Sequence, residues 1–429
     1  MSTLEKLIEV VKQDSEKALG CTEPVAVGYC ANVCNSYLGA GENEKIESVE
    51  VRTSKNIFKN GKAVYIPVVK ETGLDLAAAL GIFAPTVDDG FMVFDKIDDE
   101  VIKKAKELLK SGKLTVKHIP TKENVYVDVK IKTKDKEAIA VVSHAHTNIS
   151  EVKVDGEVVY RNEEEIVAKD DDDKIDIKSL SFKELREIVE GAPEHTFDFT
   201  LEGIEVNFKA SEQGLNEKGK LGATLKGLKE KGILADNFVT KARIMTAAAA
   251  DMRMTGGDCP IVTSGGSGNQ GIGVILPIAI VADEEGIDKD RLGRALFFAH
   301  IINRYVKEYS GKLSGICGCA IGAAVGASAA ITWMLGGTDE QIAGAPTNIY
   351  ANLTGMVCDG AKESCSMKLS TSAEEAILAA YLAVNGMISK ESVGVVGATI
   401  EDTISNIGRL SREGFKDVDN VMLDIIEAY

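Results

Sequence analysis

The chain has 429 residues, enough for two or three domains, and its 45% apolar and 27% charged residues are typical of a folded globular protein. Its formal net charge of −17 argues against the basic face that nucleic acids and anionic membranes require. Aromatic residues, at 5%, are too few for a base-stacking surface. We therefore expect neither a nucleic acid nor a membrane as partner.

The first forty residues predict two helices around a cysteine-containing turn. Helical periodicity covers residues 3–39 and is interrupted at Gly20–Pro24, and a largely apolar helix is expected from Ala26 to Tyr37. The first ten residues carry charges and lack an apolar signal core, so we predict a cytoplasmic protein. In that compartment its eight cysteines are expected to be reduced, metal-bound or catalytic.

The interrupting turn has the sequence Gly20-Cys-Thr-Glu-Pro24. A thiol at a helix start is expected to have a lowered pKa, which makes Cys21 a candidate nucleophile, base or metal ligand. This turn is more informative than the other polar stretches of the N-terminal half.

Residues 45–165 alternate between apolar and polar positions and predict an α+β unit with an antiparallel sheet. Strands are expected at Ile46–Arg52 and Ala63–Val69, joined by a turn at Asn60–Gly61. Further strands are predicted at Val125–Ile131, at Ala138–Ser143 and within Glu151–Tyr160, and helices at Leu74–Leu80 and Glu100–Leu109. The charge block Lys169–Lys174 predicts a solvated linker.

Two polar stretches in this unit are candidates for substrate binding. Residues 52–60, which include Ser54 and Asn56, offer polar groups at a strand end, with a solvated loop as the alternative. The sequence Ser143-His-Ala-His-Thr-Asn148 has histidines at i and i+2, which on a strand share one face as a metal pair would require. No third ligand is evident, so a single hydrogen-bonding histidine is favoured.

Beyond residue 181 nearly the whole chain predicts helices separated by short glycine-rich loops. They are Phe182–Glu190, Leu221–Lys231, Asn237–Met254, Val274–Asp283, Leu292–Tyr309, Ala320–Leu335, Thr347–Leu353, Ala373–Ala383 and Val395–Ser411. We predict three units: a helical segment, 1–44, that packs on the C-terminal domain, an α+β domain, 45–180, and a helical domain, 181–429. The Ala/Gly-rich stretch Leu313–Gly337 predicts helix packing within one subunit or between two, which leaves the oligomeric state open.

A glycine-rich stretch, Thr263-Ser-Gly-Gly-Ser-Gly-Asn-Gln-Gly271, precedes a predicted apolar helix. Backbone N–H groups at a helix N-terminus form a site for a carboxylate or a phosphate. The stretch matches G-x-G-x-x-G, but helices follow it where a dinucleotide site needs a βαβ unit. A glycine-rich loop that binds pyridoxal phosphate is a better alternative, although no lysine lies in a recognisable signature for that cofactor. A merely flexible loop is disfavoured by the density of Ser, Asn and Gln.

Four cysteines form two groups near the C-terminal end: Cys317 with Cys319, and Cys358 with Cys365. Their spacings fit zinc poorly, since structural zinc sites use C-x₂-C knuckles. A [4Fe–4S] core tolerates irregular spacing, and with three thiolate ligands it keeps one iron open as a Lewis acid. The alternative is buried free cysteines, which we favour for three others. These are Cys30, Cys34 and Cys259.

Together these residues resemble the L-cysteine desulfidase family, relatives of the iron–sulfur L-serine dehydratase alpha chain. The matching elements span nearly the whole chain and recur in order. They are Gly20–Pro24, the Ser54–Asn60 region, His146–Ile149, Ser267–Gly271, the Cys317-Gly-Cys319 helix start, and Gly355–Lys362 with Cys365.

This resemblance implies an oxygen-sensitive [4Fe–4S] enzyme that needs no pyridoxal phosphate and converts L-cysteine to pyruvate, ammonia and sulfide. It implies Cys317, Cys358 and Cys365 as ligands, with Cys319 as the alternative to Cys317, and Cys21 as the active-site thiol. The open iron would take the substrate's soft sulfur, and Cys21 would take the α-proton unless it is itself a ligand. The expected substrate-binding residues are Ser54, Asn56, His146, Asn148, Ser267, Asn269 and Gln270.

Two other functions stay open. An L-serine dehydratase would use the same iron–sulfur centre with hydroxide as the leaving group. A non-enzymatic iron–sulfur redox sensor or storage protein would need neither the Cys21 turn nor the loop 264–271, so the presence of both favours an enzyme.

Overall fold

The computed structural model describes residues 2–18, 20–39, 45–67, 69–85, 90–162, 175–311 and 315–428. The predicted linker Lys169–Lys174 lies outside these residues. The described chain has the predicted α+β architecture, with the main sheet in its N-terminal part and helices beyond it.

The strands and helices are numbered in chain order. The strands are β1 Lys17–Ala18, β2 Ile46–Thr53, β3 Tyr65–Ile66, β4 Glu71–Thr72, β5 Leu114–His118, β6 Tyr126–Thr133, β7 Glu137–Ser143, β8 Ile149–Val154, β9 Glu157–Arg161 and β10 Ile261–Val262. The α-helices are α1 Thr3–Asp14, α2 Thr22–Ser36, α3 Lys55–Gly61, α4 Leu74–Phe83, α5 Asp99–Lys110, α6 Phe182–Gly191, α7 Glu202–Gly214, α8 Leu221–Glu230, α9 Phe238–Met254, α10 Gly268–Glu284, α11 Lys289–Ser310, α12 Ala324–Met334, α13 Asp339–Leu353, α14 Cys365–Val384, α15 Ile400–Arg409 and α16 Phe415–Glu427. π-Helical turns at Cys319–Ala323 and Leu410–Gly414 lead into α12 and α16.

The main sheet has six strands in the order β5-β2-β6-β7-β8-β9. The prediction of a purely antiparallel sheet is wrong at one edge, because β2 and β5 run parallel, whereas the other neighbours are antiparallel. Helix α2 packs on β6 and β7, and Cys30 and Cys34 each direct the Sγ of a free thiol to a carbonyl oxygen of β7, at 3.2 and 3.3 Å. Both are buried and free, as predicted, and so is Cys259.

The predicted hairpin across residues 46–69 is wrong. Residues 55–61 form α3, so Asn60–Gly61 ends a helix, and of the expected second strand only β3 pairs, with β4. Six of the seven residues of α3 are buried, so tertiary packing overrides the local turn signal. The neighbours of β2 are instead β6 and the short β5, which the sequence analysis missed.

Two large hydrophobic cores lie within the described part of the chain. One lies between the helices from α6 to α15 and includes Leu7 and Val11 of α1. The other lies between the sheet, α2, α4 and α5, and it includes Leu423 of α16. The segment 1–44, predicted to pack on the C-terminal domain, therefore divides between the cores, with α1 in the helical core and α2 against the sheet.

Most predicted helices of the C-terminal region are present, but α7 and α16 were missed. Several helices begin earlier than predicted, among them α2 at Thr22, α10 at Gly268, α13 at Asp339 and α14 at Cys365. Pro24 is accommodated within the first turn of α2, where a missing N–H costs little. Among the described helices, none has both the length and the apolar character that crossing a membrane would need.

Candidate functional site

The four C-terminal cysteines, Cys317, Cys319, Cys358 and Cys365, are called here the cysteine site. A two-residue antiparallel bridge, Ile316 with Val357, brings the first two cysteines beside the third. The Cys317 N–H donates to the carbonyl oxygen of Met356, and the Cys358 N–H donates to that of Gly315, both at 2.8 Å. In this register Cys317 and Cys358 are diagonal neighbours on one face, a relation with Cα atoms about 7–8 Å apart.

Cys317 and Cys319 form a hydrogen-bonded pair at the start of the π-helical turn. The Sγ of Cys317 accepts from the Cys319 thiol and from the backbone N–H groups of Cys319 and Ala320, which lowers the pKa of Cys317. The same pairing, together with burial, raises the pKa of Cys319. Cys317 is therefore the thiolate of the pair and Cys319 the donor.

Two lysines add positive charge around the cysteine site. The Lys368 ammonium donates to the carbonyl oxygen of Val357 at 2.7 Å and to the Asp359 carboxylate. Lys59 of α3 is buried and pairs with Asp419 of α16 at 2.8 Å. Burial raises the pKa of Cys358, and both lysines act in the opposite direction.

Gly360 lets the Cys358 loop lie directly on α3. Its φ is +92°, and a side-chain carbon there would stand 2.2 Å from the Lys59 carbonyl oxygen. A glycine is therefore required for this close approach.

Cys21 is the N-cap residue of α2 and lies in a small cluster with Val64, Met254 and Cys365. The expectation that the helix start lowers its pKa is wrong. Burial raises the pKa of the Cys21 thiol to about 11, a larger effect than the opposing charge and hydrogen bond of Arg253. Arg253 also joins the Cys21 turn to α10, because its guanidinium donates to the carbonyl oxygen of Gly20 at 3.0 Å and to Asn269 Oδ1 at 3.1 Å.

The glycine-rich loop, residues 263–267, is held from behind by α11. The Ser264 hydroxyl lies 2.9 Å from His300 Nδ1 and accepts a 2.9 Å hydrogen bond from Asn303. Lys307 donates to the carbonyl oxygen of Gly265 at 2.5 Å. Ser267 is the N-cap residue of α10 and bonds through its backbone to Ser264. The first turn of α10 therefore begins at this loop, and its Asn269 is joined to the Cys21 turn through Arg253.

Gln270 reaches the cysteine site directly. A side-chain carbon on Gly318, between Cys317 and Cys319, would lie 2.2 Å from Gln270 Nε2. The structure thus brings Cys21, Asn269, Gln270 and the cysteine site together from four separate segments.

The remaining predicted residues form a second group at one end of the sheet, called here the sheet-end group: Ser54, Asn56, His146 and Asn148. Ser54 Oγ donates to the carbonyl oxygen of Asn124 at 2.8 Å, and Asn56 Nδ2 donates to the Asn124 side chain at 3.2 Å. Asn148 Nδ2 donates to the Ser143 carbonyl oxygen at 3.0 Å. These contacts do not bring the group onto the cysteine site; α3, which begins after Ser54 and carries Lys59, connects the two.

The predicted placement of two histidines on one face of a strand is wrong. Strand β7 ends at Ser143, and His144 has a φ of +65° in the turn that follows. The metal-pair geometry therefore does not arise. Within the described part of the chain, no three His, Cys, Asp or Glu side chains are grouped to hold a single metal ion.

Sequence reasoning missed several groups at this site: Arg253, His300, Asn303, Lys307 and Lys368. The residues His300, Asn303 and Lys307 recur at helical spacing within the otherwise apolar inner face of α11, a signal that the sequence does contain. Arg253 offers no comparable pattern, since only the fold brings it beside Cys21.

The chain is similar to known proteins over nearly its whole length. A family model described as serine dehydratase alpha chain matches residues 89–424. A UPF0597 protein of Clostridium botulinum (strain Hall) is 48% identical over 423 residues, which cover 98% of this chain and 96% of the relative. UPF0597 proteins of Alkaliphilus oremlandii and Clostridioides difficile are 37% and 34% identical, each over 98% of both chains.

Proposed function

The chain belongs to the serine dehydratase alpha chain family, a family of lyases, and we propose that it is a [4Fe–4S] enzyme that eliminates sulfide from L-cysteine. The products are pyruvate, ammonia and hydrogen sulfide, and no pyridoxal phosphate takes part. The observation that carries the proposal is the convergence of the buried thiol Cys21, the cation Arg253 and the first turn of α10 on the cysteine site.

In this proposal Cys317, Cys358 and Cys365 hold the cluster, and Cys319 donates a hydrogen bond to Cys317. The donor set fits because thiolates are the usual ligands of iron–sulfur clusters and these thiols lie close enough to influence one another's pKa values. When bound, the cluster supplies an iron that acts as a Lewis acid towards the leaving sulfur.

Cys21 takes the α-proton of the substrate. A thiol whose pKa is about 11 is a strong base once ionised, and the Arg253 guanidinium beside it favours the ionised form. Burial of Cys21 at 6% exposure keeps bulk water away from the proton transfer.

The bonds of the reaction balance without an oxidant or a reductant. The Cα–H and Cβ–S bonds of L-cysteine break and an alkene bond forms, giving sulfide and aminoacrylate. Aminoacrylate becomes its imine and takes up one water to give pyruvate and ammonia.

The remaining predicted residues bind the substrate. The first turn of α10 presents its N–H groups and positive helix end to the carboxylate, with Ser267 and Asn269 at its start. The sheet-end group, Ser54, Asn56, His146 and Asn148, provides the outer part of the site. We also propose a cytoplasmic location, because a reducing compartment would preserve the free thiols.

The experiment that tests this proposal compares two substrates on anaerobically reconstituted protein. We expect kcat/KM for L-cysteine, measured as sulfide and pyruvate in equal amounts, to exceed that for L-serine. The family's description favours serine as the second candidate, and faster pyruvate release from L-serine would replace the proposed substrate by it. Pyruvate from neither substrate would contradict the lyase activity.

A further inference from the structure

Two buried amide side chains, Gln270 of α10 and Asn303 of α11, meet beside the turn that carries Cys317 and Cys319. A side-chain carbon on Gly322 would lie 2.4 Å from Asn303 Oδ1 and 3.4 Å from Gln270 Oε1. Both oxygens therefore approach the same point beside Gly322, and a side chain at residue 322 would collide with Asn303. Asn303 is 0% exposed and Gln270 is 8% exposed.

Neither oxygen has a hydrogen-bond partner within the ranges that the structure describes. The direction of the Asn303 amide is set at its other end, because Nδ2 donates to the Ser264 hydroxyl at 2.9 Å. A buried carbonyl oxygen without a donor is unfavourable and rare in folded proteins. Two such oxygens beside one residue indicate a ligand that brings donors. Gly322 itself lies in a π-helical turn, a feature that occurs frequently at functional sites.

The charged groups near the two amide oxygens are unevenly distributed. Arg253 lies beside Gly268, and the Lys307 ammonium bonds to Gly265, so the positive groups lie on the side of the glycine-rich loop. His300, behind the loop, is neutral near pH 7 because burial lowers its pKa to about 4. The nearest carboxylate described at Cys21, that of Glu23, is bonded to Asn60 at 3.3 Å. The cations at the glycine-rich loop suit a carboxylate, whereas the two amide oxygens beside Gly322 accept hydrogen bonds, as an ammonium group requires.

We propose that Gln270 Oε1 and Asn303 Oδ1 form the subsite for the α-ammonium group of the substrate. This inference rests on the proposed function and adds to it the recognition of an amino acid rather than of any thiol-bearing carboxylate. The carboxylate lies towards the first turn of α10, and the ammonium donates to the two amide oxygens.

The test removes each acceptor and compares two ligands that differ only in the ammonium group, L-cysteine and 3-mercaptopropionate. We expect Gln270→Met and Asn303→Leu to lower kcat/KM for L-cysteine by about 10- to 100-fold, the loss of one hydrogen bond to a charged group. The inhibition constant of 3-mercaptopropionate should stay within about threefold, since that ligand has no ammonium group to lose. Gln270→Glu, which retains an acceptor, should rescue most of the loss.

The matched control is Asn348→Leu. Asn348 is also a buried amide, but its Nδ2 donates to the Met387 carbonyl oxygen and its Oδ1 accepts from the Ser389 N–H. It should leave the ratio between the two ligands unchanged. If Asn303→Leu does not fold, Gln270→Met decides the question alone. Parallel weakening of both ligands would overturn the inference, because the amides would then support the fold or the cysteine site. Unchanged values for both would also overturn it.

Thermal stabilisation separates failure of this inference from failure of the proposed function. If the wild-type protein has no lyase activity, L-alanine and propionate still differ by an ammonium group. Greater stabilisation by L-alanine, lost in Gln270→Met, would support the subsite without the reaction. Equal stabilisation by the two ligands would reject the subsite.

Discussion

The cysteine site and the sheet-end group are both polar, but they are constructed differently. The cysteine site is assembled from loops before α12 and α14, with Cys21 and α10 brought against it from distant parts of the chain. The polar groups of the sheet-end group bond mainly to the ends of neighbouring strands. Buried polar groups that lie together but leave hydrogen-bonding capacity unused are suited to bind a ligand. Polar groups that bond to the backbone at strand ends mainly stabilise the sheet.

This comparison predicts that substitutions at the cysteine site have the largest effects. Cys358→Ser and Cys365→Ser should each abolish the visible absorbance and the bound iron of reconstituted protein and reduce turnover to the detection limit, because a cluster ligand is lost. Cys259→Ser, at a buried free cysteine, is the control and should retain both. Retention of iron in both ligand variants would remove the distinction between the two regions.

The next effect concerns Cys21. Cys21→Ala should lower kcat by about 10²- to 10⁴-fold, the usual contribution of a general base, while leaving the cluster absorbance unchanged. Activity and spectrum measured on the same anaerobic sample check this. Loss of the absorbance would instead assign Cys21 as a ligand.

A third prediction concerns pH and the support behind the glycine-rich loop. Because burial lowers the pKa of His300 from 6.5 to about 4, the unfolded chain takes up the proton first as the pH falls. The contribution of neutral His300 to the free energy of unfolding is fully present above pH 6.5. It decreases by about 3 kcal/mol as the pH falls towards 4.

Urea unfolding at pH 7 and pH 4 measures this loss. His300→Gln should lose less stability than the wild type across that range, and His195→Gln, at an exposed position, serves as the control. An identical pH dependence in the wild type and His300→Gln would show that His300 is not held neutral by the fold.

The smallest effects are expected at the sheet-end group. Asn56→Ala and Asn148→Ala should raise KM by less than about tenfold with little change in kcat, because each removes neutral hydrogen bonds of roughly 1 kcal/mol. Steady-state kinetics with L-cysteine test this. A fall in kcat as large as that of Cys21→Ala would mean that both regions belong equally to the reaction.

Local patterns in the sequence were enough for the class of fold and for choosing candidate site residues. Helical periodicity predicts most of the C-terminal helices, and glycine-rich spacing points to Cys21, Cys358 and the loop before α10 as candidates. Pairings between distant segments had no local signal, so the parallel strand β5 and the role of Arg253 were missed. The pKa of Cys21 was predicted in the wrong direction, because burial depends on the whole fold and here outweighs the helix end.

In the proposed enzyme three cysteines hold the cluster and leave one iron free for the substrate. Mössbauer spectra of ⁵⁷Fe-reconstituted protein, recorded with and without L-cysteine, measure this directly. We expect about one iron in four to change its Mössbauer parameters on addition of L-cysteine and the other irons to keep theirs. Spectra without the signals of a [4Fe–4S] cluster, or a cluster whose four irons are all indifferent to the substrate, would contradict it.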